Sequence, residues 1–338
     1  MPKFISKSLF LIAILVCQSA FSNEVNVYSS RQSQLIKPLL DAFSKDTGIR
    51  VNLITASDDV LLKRLQSEGR NSPADILLTA DAGRLYRAKS MGLLQAVQSP
   101  GLIKNIPANL RDPGNTWFGL TYRARTIFYS KDRVNPQQLS TYEALTAPQW
   151  KGRVCVTSSN SIYNQSLTAS MIASVGEARA QQWAKGLVAN FSRNPVGGDK
   201  DQISAVASGR CDVAIANNYY YAQMLFGGDS AQKAAANRVG IFWANQRDRG
   251  THINISGAGV TASAKHKENA VRLLNYLLQD IAQQWYATVN GEFPVKPGVA
   301  PDPRIQAWGR FKSDAVNLSV LGKYNPQAVR LLDLAGWR

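Results

Sequence analysis

The chain has 338 residues, 45% of them hydrophobic, with 39 Lys and Arg against 23 Asp and Glu, a formal charge of +16. That length suggests two domains, and the apolar content supports real cores. The basic residues are scattered, with no run of four or more, so the charge implies no nucleic-acid partner; a solvated surface accounts for it, and anionic ligands or an anionic membrane surface remain compatible.

In chain order, the first segment reads MPKFISKSLFLIAILVCQSAFS, with Lys3 and Lys7 ahead of an apolar run from Leu9 to Val16 and then Ala20-Phe21-Ser22. This is a secretory signal peptide over residues 1–22, cut after Ser22. The run is far short of the ~20 residues of a membrane helix. A lipid anchor at Cys17 is the competing reading, but Val16 stands where lipoprotein signals want a small residue. No later segment is long and apolar enough to span a bilayer, so the mature chain is expected to be exported, with no stable membrane insertion and two fewer positive charges.

From Val25, strand-like runs alternate with helix-like ones: VNVYS, LIKPLLDAFSKDTG closed by Gly48, VNLIT, DDVLLKRLQSEG closed by Gly69, then ADILLT. Strands separated by glycine-terminated helices read as α/β units with mainly parallel pairing. The pattern resumes after a loop around Arg111 to Trp117, with FGLTYRARTIFYS as a long strand and RVCVTS as another. Helices are expected over Asn164–Val175, Glu177–Phe191 and Lys265–Asp280, the last with Val271, Leu274, Tyr276, Leu277 and Leu278 as its apolar face. The chain thus divides into two lobes. In such folds ligands sit in the cleft beyond the carboxyl ends of strands.

With Cys17 discarded, two cysteines remain, Cys155 and Cys211, each at the start of a strand-like run. In an oxidising compartment they are expected to pair as a disulfide. Two free buried thiols are the alternative.

The strand CDVAIA ends at Ala216, Asn217 or Asn218 can serve as a cap, and a helix then opens with Tyr219, Tyr220 and Tyr221. A second strand-to-helix junction places Tyr163 in the equivalent position. The positive end of a helix favours an anion there, and phenolate is a hard ligand suited to Fe³⁺, which displaces a proton of pKa about 10. By spacing alone these rings also read as ordinary amphipathic positions, or as a stacking platform for sugars. Other metals fit poorly: His252 and His266 are the only histidines, and no calcium-type carboxylate loop occurs. Nor does a nucleophile elbow, paired-carboxylate motif or histidine dyad suggest an enzyme.

Six stretches carry a family resemblance: VNVYSSRQ at 25–32, SPADILLT at 72–79, FGLTYRAR at 118–125, IYNQSL at 162–167, GGDKDQ at 197–202 and ANNYY at 216–220. In these the chain resembles the periplasmic ferric-ion-binding proteins, receptors of bacterial ABC iron importers, over essentially its whole mature length. The resemblance implies a type II periplasmic-binding fold, α/β with two lobes of mixed, mainly parallel sheets around a hinged cleft. The lobes are expected at 23–123 plus 252–298 and at 124–251 plus 299–338. It also implies a periplasmic location, a monomer, an inner-membrane ABC permease as partner, and Tyr163, Tyr219 and Tyr220 as iron ligands, with Tyr221 packing nearby.

The chain departs from the family where many members place His or His-Tyr after the first strand; here stand Gln32 and Ser33. Where some use a glutamate after the third strand, Ala80 and Asp81 occur. Ligands from the first lobe are therefore missing, and the chain is most similar to members that complete the shell with a carbonate or bicarbonate anion. Arg31 and Arg123 are the expected anion-binding cations. Asp81 and Asn217 are expected to orient ligands or to cap helices. The alternative keeps the fold and binds another small anionic or polar solute.

Overall fold

A computed structural model describes residues 23–338. The signal-peptide reading of residues 1–22 lies outside the described residues.

The first lobe begins with β1 (Glu24–Ser29), flanked in parallel by β2 (Arg50–Thr55) and β3 (Ile76–Thr79), with Val25 opposite Val51 and Val27 opposite Ile76. The connecting helices, Lys37–Thr47 and Asp58–Glu68, bury Leu39, Leu40 and Phe43 and then Leu61, Leu62 and Leu65. Both sets repeat at i, i+1, i+4, one face of a 3.6-residue helix. Gly48 stops the first helix at φ 71°, left-handed backbone that glycine adopts without a Cβ clash.

Between the lobes runs β4 (Phe118–Ser130), thirteen residues long. Its first half, Phe118 to Ala124, pairs antiparallel with β8 (Ile253–Val260). From Arg125 to Ser130 it pairs instead with β6 (Val213–Asn217) and β7 (Val239–Phe242). The chain returns alongside, since the Arg125 amide donates to the His252 carbonyl at 3.1 Å. The short β9 (Phe293–Pro294) also lies on β4, and β5 (Val154–Cys155) lies parallel to β6. The sheet is therefore mixed. Every pairing made by β4 or β8 is antiparallel, because these strands join the lobes directly, and parallel pairing is confined to the two flanks.

One core gathers β1, β3 and β8 with their helices; the second-lobe core gathers Ile127, Leu167, Met171, Val213 and Ile215. The segment 299–338 divides between them: Ile305, Leu318 and Leu321 join the first, while Ala328, Leu331, Leu332 and Trp337 join the second.

Two local expectations change. The run RVCVTS is a strand only at Val154–Cys155. Beyond it the Thr157 carbonyl accepts from Asn164 Nδ2 at 2.8 Å and Trp337 Nε1 at 2.9 Å, so side chains take the place of a ladder partner. The stretch 265–280 is not one helix: Lys267–Tyr276 stops, Gln279 is extended, and a further helix, Asp280–Asn290, begins. Ala270, Leu273, Leu274, Leu277 and Leu278 are buried, whereas Val271 and Tyr276 are half-buried.

Cys155 and Cys211 form a disulfide with their Cα atoms 5.9 Å apart, at the end of β5 and just before β6.

Candidate metal centre

Strand β6 is buried throughout and emerges at Asn217, where the helix Asn218–Phe226 begins. Neither asparagine side chain caps that helix. Asn218 ties the lobes together, accepting from the Ala124 amide at 2.8 Å and donating to the Gly291 carbonyl at 2.9 Å. Asn217 turns toward the cleft, its Nδ2 3.5 Å from the Tyr219 hydroxyl and its Oδ1 3.3 Å from Arg125 Nη1. Tyr219 and Tyr220 fall in the first helical turn, their ring centroids 4.2 Å apart.

Tyr163 occupies the same turn of the helix Ile162–Val175, and the Tyr219 hydroxyl donates to its hydroxyl at 3.0 Å. Tyr221 points away. Its hydroxyl donates to the Val239 carbonyl at 2.7 Å, and its ring packs between Phe128 and Trp308.

The three tyrosines wall a cavity of about 210 Å3 shared with Ala80, Arg31, Ser256 and Glu292 from the other lobe. Burial pushes the Tyr219 phenol well above its ordinary pKa; Tyr163 and Tyr220 add to the rise, and Arg123 opposes it. Burial also raises Tyr220, again reinforced by Tyr163. Without a cation these groups hold their protons.

The two arginines differ. Arg31 has a carboxylate partner: Nη2 meets Glu292 Oε2 at 2.7 Å and Nη1 donates to Ser256 Oγ, while its buried Nε has no partner. Thr121 Oγ1 also donates to Glu292 Oε2, at 2.8 Å. Arg123 donates through Nη2 to the Ala80 carbonyl, while its buried Nη1 has no partner. Its guanidinium lies 5.8 Å from the Tyr163 ring centre.

Asp81 does not line the cavity. It caps the helix Ala82–Ser90 by accepting from the Arg84 amide at 3.0 Å. Its other oxygen accepts from Ser166 Oγ at 2.8 Å, one turn along the helix that carries Tyr163, and from Asn254 Nδ2 at 2.6 Å.

Sequence reasoning missed two groups. One is Glu292, which offsets Arg31; its signal is the turn Asn290-Gly291-Glu292 at the end of a helix not foreseen. Gly291, at φ 66°, lets this turn approach the tyrosine helix, for a Cβ there would come within 2.6 Å of Ala222 Cβ. The other is the buried pair of Arg125 with Asp199, at 2.9 Å, which also holds Asn164 Oδ1 at 2.7 Å and so steadies both helix starts. Both residues lie inside recognised motifs, yet nothing in the sequence pairs them.

Among the described residues no group of three or more His, Cys, Asp or Glu could hold a metal. The phenols can. Two oxygens bound at right angles to one ion at about 2.0–2.1 Å stand roughly 2.8–3.0 Å apart, which is the Tyr163–Tyr219 spacing.

Two α/β lobes joined by paired crossings, with a polar cleft walled from both sides, define a two-lobed solute-binding protein of the type II periplasmic-binding fold. Residues 39–313 match the family described as bacterial extracellular solute-binding protein, and the chain belongs to that family. Its relatives include iron uptake protein A2 of Synechocystis, 49% identical across 95% of this chain and 92% of that one. A Trichodesmium protein, IdiA or FutA, solved in complex with iron and citrate ligands, superposes at a TM-score of 0.91 with 47% identity, covering 93% of this chain and all of that one. The ferric iron-binding protein A of Mannheimia haemolytica, in an open conformation, gives 0.87 with 44% identity over 93% and 99%. Within the family the chain stands with these ferric-ion-binding transport proteins, and it is not an enzyme.

Proposed function

We propose that this protein captures ferric iron in the periplasm and delivers it to an inner-membrane ABC permease, holding the ion by the phenolate oxygens of Tyr163, Tyr219 and Tyr220. The observation that carries the reading is the meeting of three phenols from two helix starts, with two hydroxyls 3.0 Å apart. Similarity to proteins named for iron uptake and ferric-iron binding supports it.

Fe³⁺ is a hard cation that displaces phenol protons, and the positive helix ends favour the resulting anions. Three phenolates offset its three charges, and Glu292 offsets Arg31. Arg123 then leaves one positive charge in excess, with a free buried N–H aimed at hydrogen bonding. A carbonate or bicarbonate beside Arg123 completes the shell, since a guanidinium suits a planar oxyanion. Asn217 positions the Tyr219 hydroxyl, and Asp81 holds the Tyr163 helix through Ser166. The protein acts as a monomer whose lobes close where β4 exchanges partners.

The test is to add ferric ion with bicarbonate to the mature protein. A visible phenolate-to-iron charge-transfer band with a raised melting temperature is expected. A colourless protein of unchanged stability would refute the reading.

A further inference from the structure

Arg125 stands where β4 changes partners. Ala124 still faces Ile253 of β8, whereas Arg125 faces Asn217 of β6. The returning crossing holds its backbone. The Arg125 amide donates to the His252 carbonyl at 3.1 Å, and its carbonyl accepts from the Tyr142 hydroxyl, which in turn accepts from the His252 amide at 3.1 Å. One phenol thus clasps both strands that join the lobes.

The side chain reaches the two tyrosine-bearing helices. It is buried, with Nη1 at 2.9 Å from Asp199 Oδ2 and 3.3 Å from Asn217 Oδ1, while Nη2 donates to Asn164 Oδ1 at 2.7 Å. Asp199 Oδ2 also accepts from the Asn217 amide at 2.8 Å. Asn164 follows Tyr163 directly, and Asn217 precedes Tyr219 by two residues. A single planar fork therefore spans the starts of both helices, which the point charge of a lysine does not do. Arg125 itself does not line the tyrosine cavity, so it acts through the two asparagines.

A buried ion pair is weak evidence of stability, because desolvation offsets the attraction and an apolar pair of similar volume is often as stable. What the fork supplies is geometry. Arg125 and Asp199 also cancel in charge, so they leave the balance between phenolates and ferric ion unchanged.

We propose that Arg125 is a positioning residue that couples lobe closure to iron ligation, since the same residue fixes the crossing where β4 exchanges partners and the helix starts that carry Tyr163 and Tyr219. Movement at the crossing is carried to both helices, and a metal that draws the phenols together acts back on the crossing by the same coupling. The inference rests on the ferric reading above.

The experiment titrates the mature wild type, Arg125→Lys and Asn164→Ala with ferric ion in bicarbonate, following the phenolate-to-iron band. X-ray scattering gives the radius of gyration before and after loading. The wild type is expected to compact. Arg125→Lys keeps a cation beside Asp199 but loses the fork; it should bind iron about tenfold more weakly, as for a lost orienting contact outside the coordination shell, with a shifted band maximum and a smaller compaction. Asn164→Ala releases the Tyr163 helix from the fork and should cost about fivefold, the worth of one hydrogen bond, with the band shifted in the same direction. That variant decides the matter should Arg125→Lys fail to fold. A variant that melts earlier yet keeps its affinity, band and compaction overturns the proposal, and so does weaker binding with full compaction. A wild type that loads without compacting overturns the coupling alone; a wild type that develops no band overturns the ferric reading with it.

Discussion

The hydroxyls of Tyr163 and Tyr219 meet at 3.0 Å although 56 residues separate them in the chain. Each sits in the first turn of its own helix, so two backbone frameworks set the spacing rather than one flexible side chain. Tyr219→Phe or Tyr163→Phe removes one donor and leaves the ring packing. Either change should weaken ferric binding by about 10²-fold or more, beyond the range seen for groups outside the coordination shell. Tyr221→Phe should leave the band and the affinity unchanged. Absorbance titration of the three variants checks this.

Acid should release the metal. The Tyr219 and Tyr220 phenols sit above their ordinary pKa when no cation is present, chiefly through burial. Binding therefore expels protons, and affinity should fall about tenfold per pH unit for each proton displaced as the medium is acidified. Calorimetry in buffers of differing ionisation enthalpy counts those protons; an affinity unchanged between pH 8 and 5 would contradict the ligand set.

Arg123 and Glu292 should act in opposite directions. Arg123→Met removes the free cation and should abolish the bicarbonate dependence of loading, at a cost of roughly tenfold or more in affinity. Glu292→Gln frees Arg31 from its 2.7 Å partner and should strengthen anion dependence instead. Titration with and without bicarbonate separates the two.

Burial, then the guanidiniums of Arg125, Arg123 and Arg249, lower the His252 pKa to about 3. In the unfolded chain the imidazole protonates near 6.5. The unfolded state therefore binds the extra proton first as pH falls, and the folding stability present above pH 6.5 is lost toward pH 3 by up to about 1.4 kcal/mol per unit. His252→Gln should flatten that slope in denaturant melts of the apoprotein.

Reducing the Cys155–Cys211 bridge reopens a loop spanning 56 residues. The chain-entropy model assigns it about 4 kcal/mol. The bridge joins Cys155 at the end of β5 to Cys211 just before β6, and neither cysteine lines the tyrosine cavity, so thermal stability should fall by several degrees while ferric affinity holds.

Local signals carried the elements. Gly48 and Gly69 ended helices where their left-handed backbone is cheap, and the buried i, i+1, i+4 residues marked inward faces. The same logic failed over 265–280, because a two-leucine step at Leu277 and Leu278 reads equally as continued helix or as a buried break. Missing that break hid the helix behind it and with it the turn bearing Asn290 and Glu292.

The amino-acid sequence by itself determined the alternating α/β pattern and the tyrosines at two strand-to-helix junctions, and it singled out Cys155 and Cys211 as a candidate pair that the structure then joined, because periodicity, glycine backbone freedom and cysteine number are local or countable. Only the tertiary structure decided that Arg31 has Glu292 as a carboxylate partner while Arg123 meets only the Ala80 carbonyl, that Asp81 braces a helix instead of lining the cleft, and that Asn290 stands unpaired between two cavities. Those outcomes depend on which long side chains meet across the lobes, and an ion pair between residues 261 positions apart leaves no periodic trace in the chain.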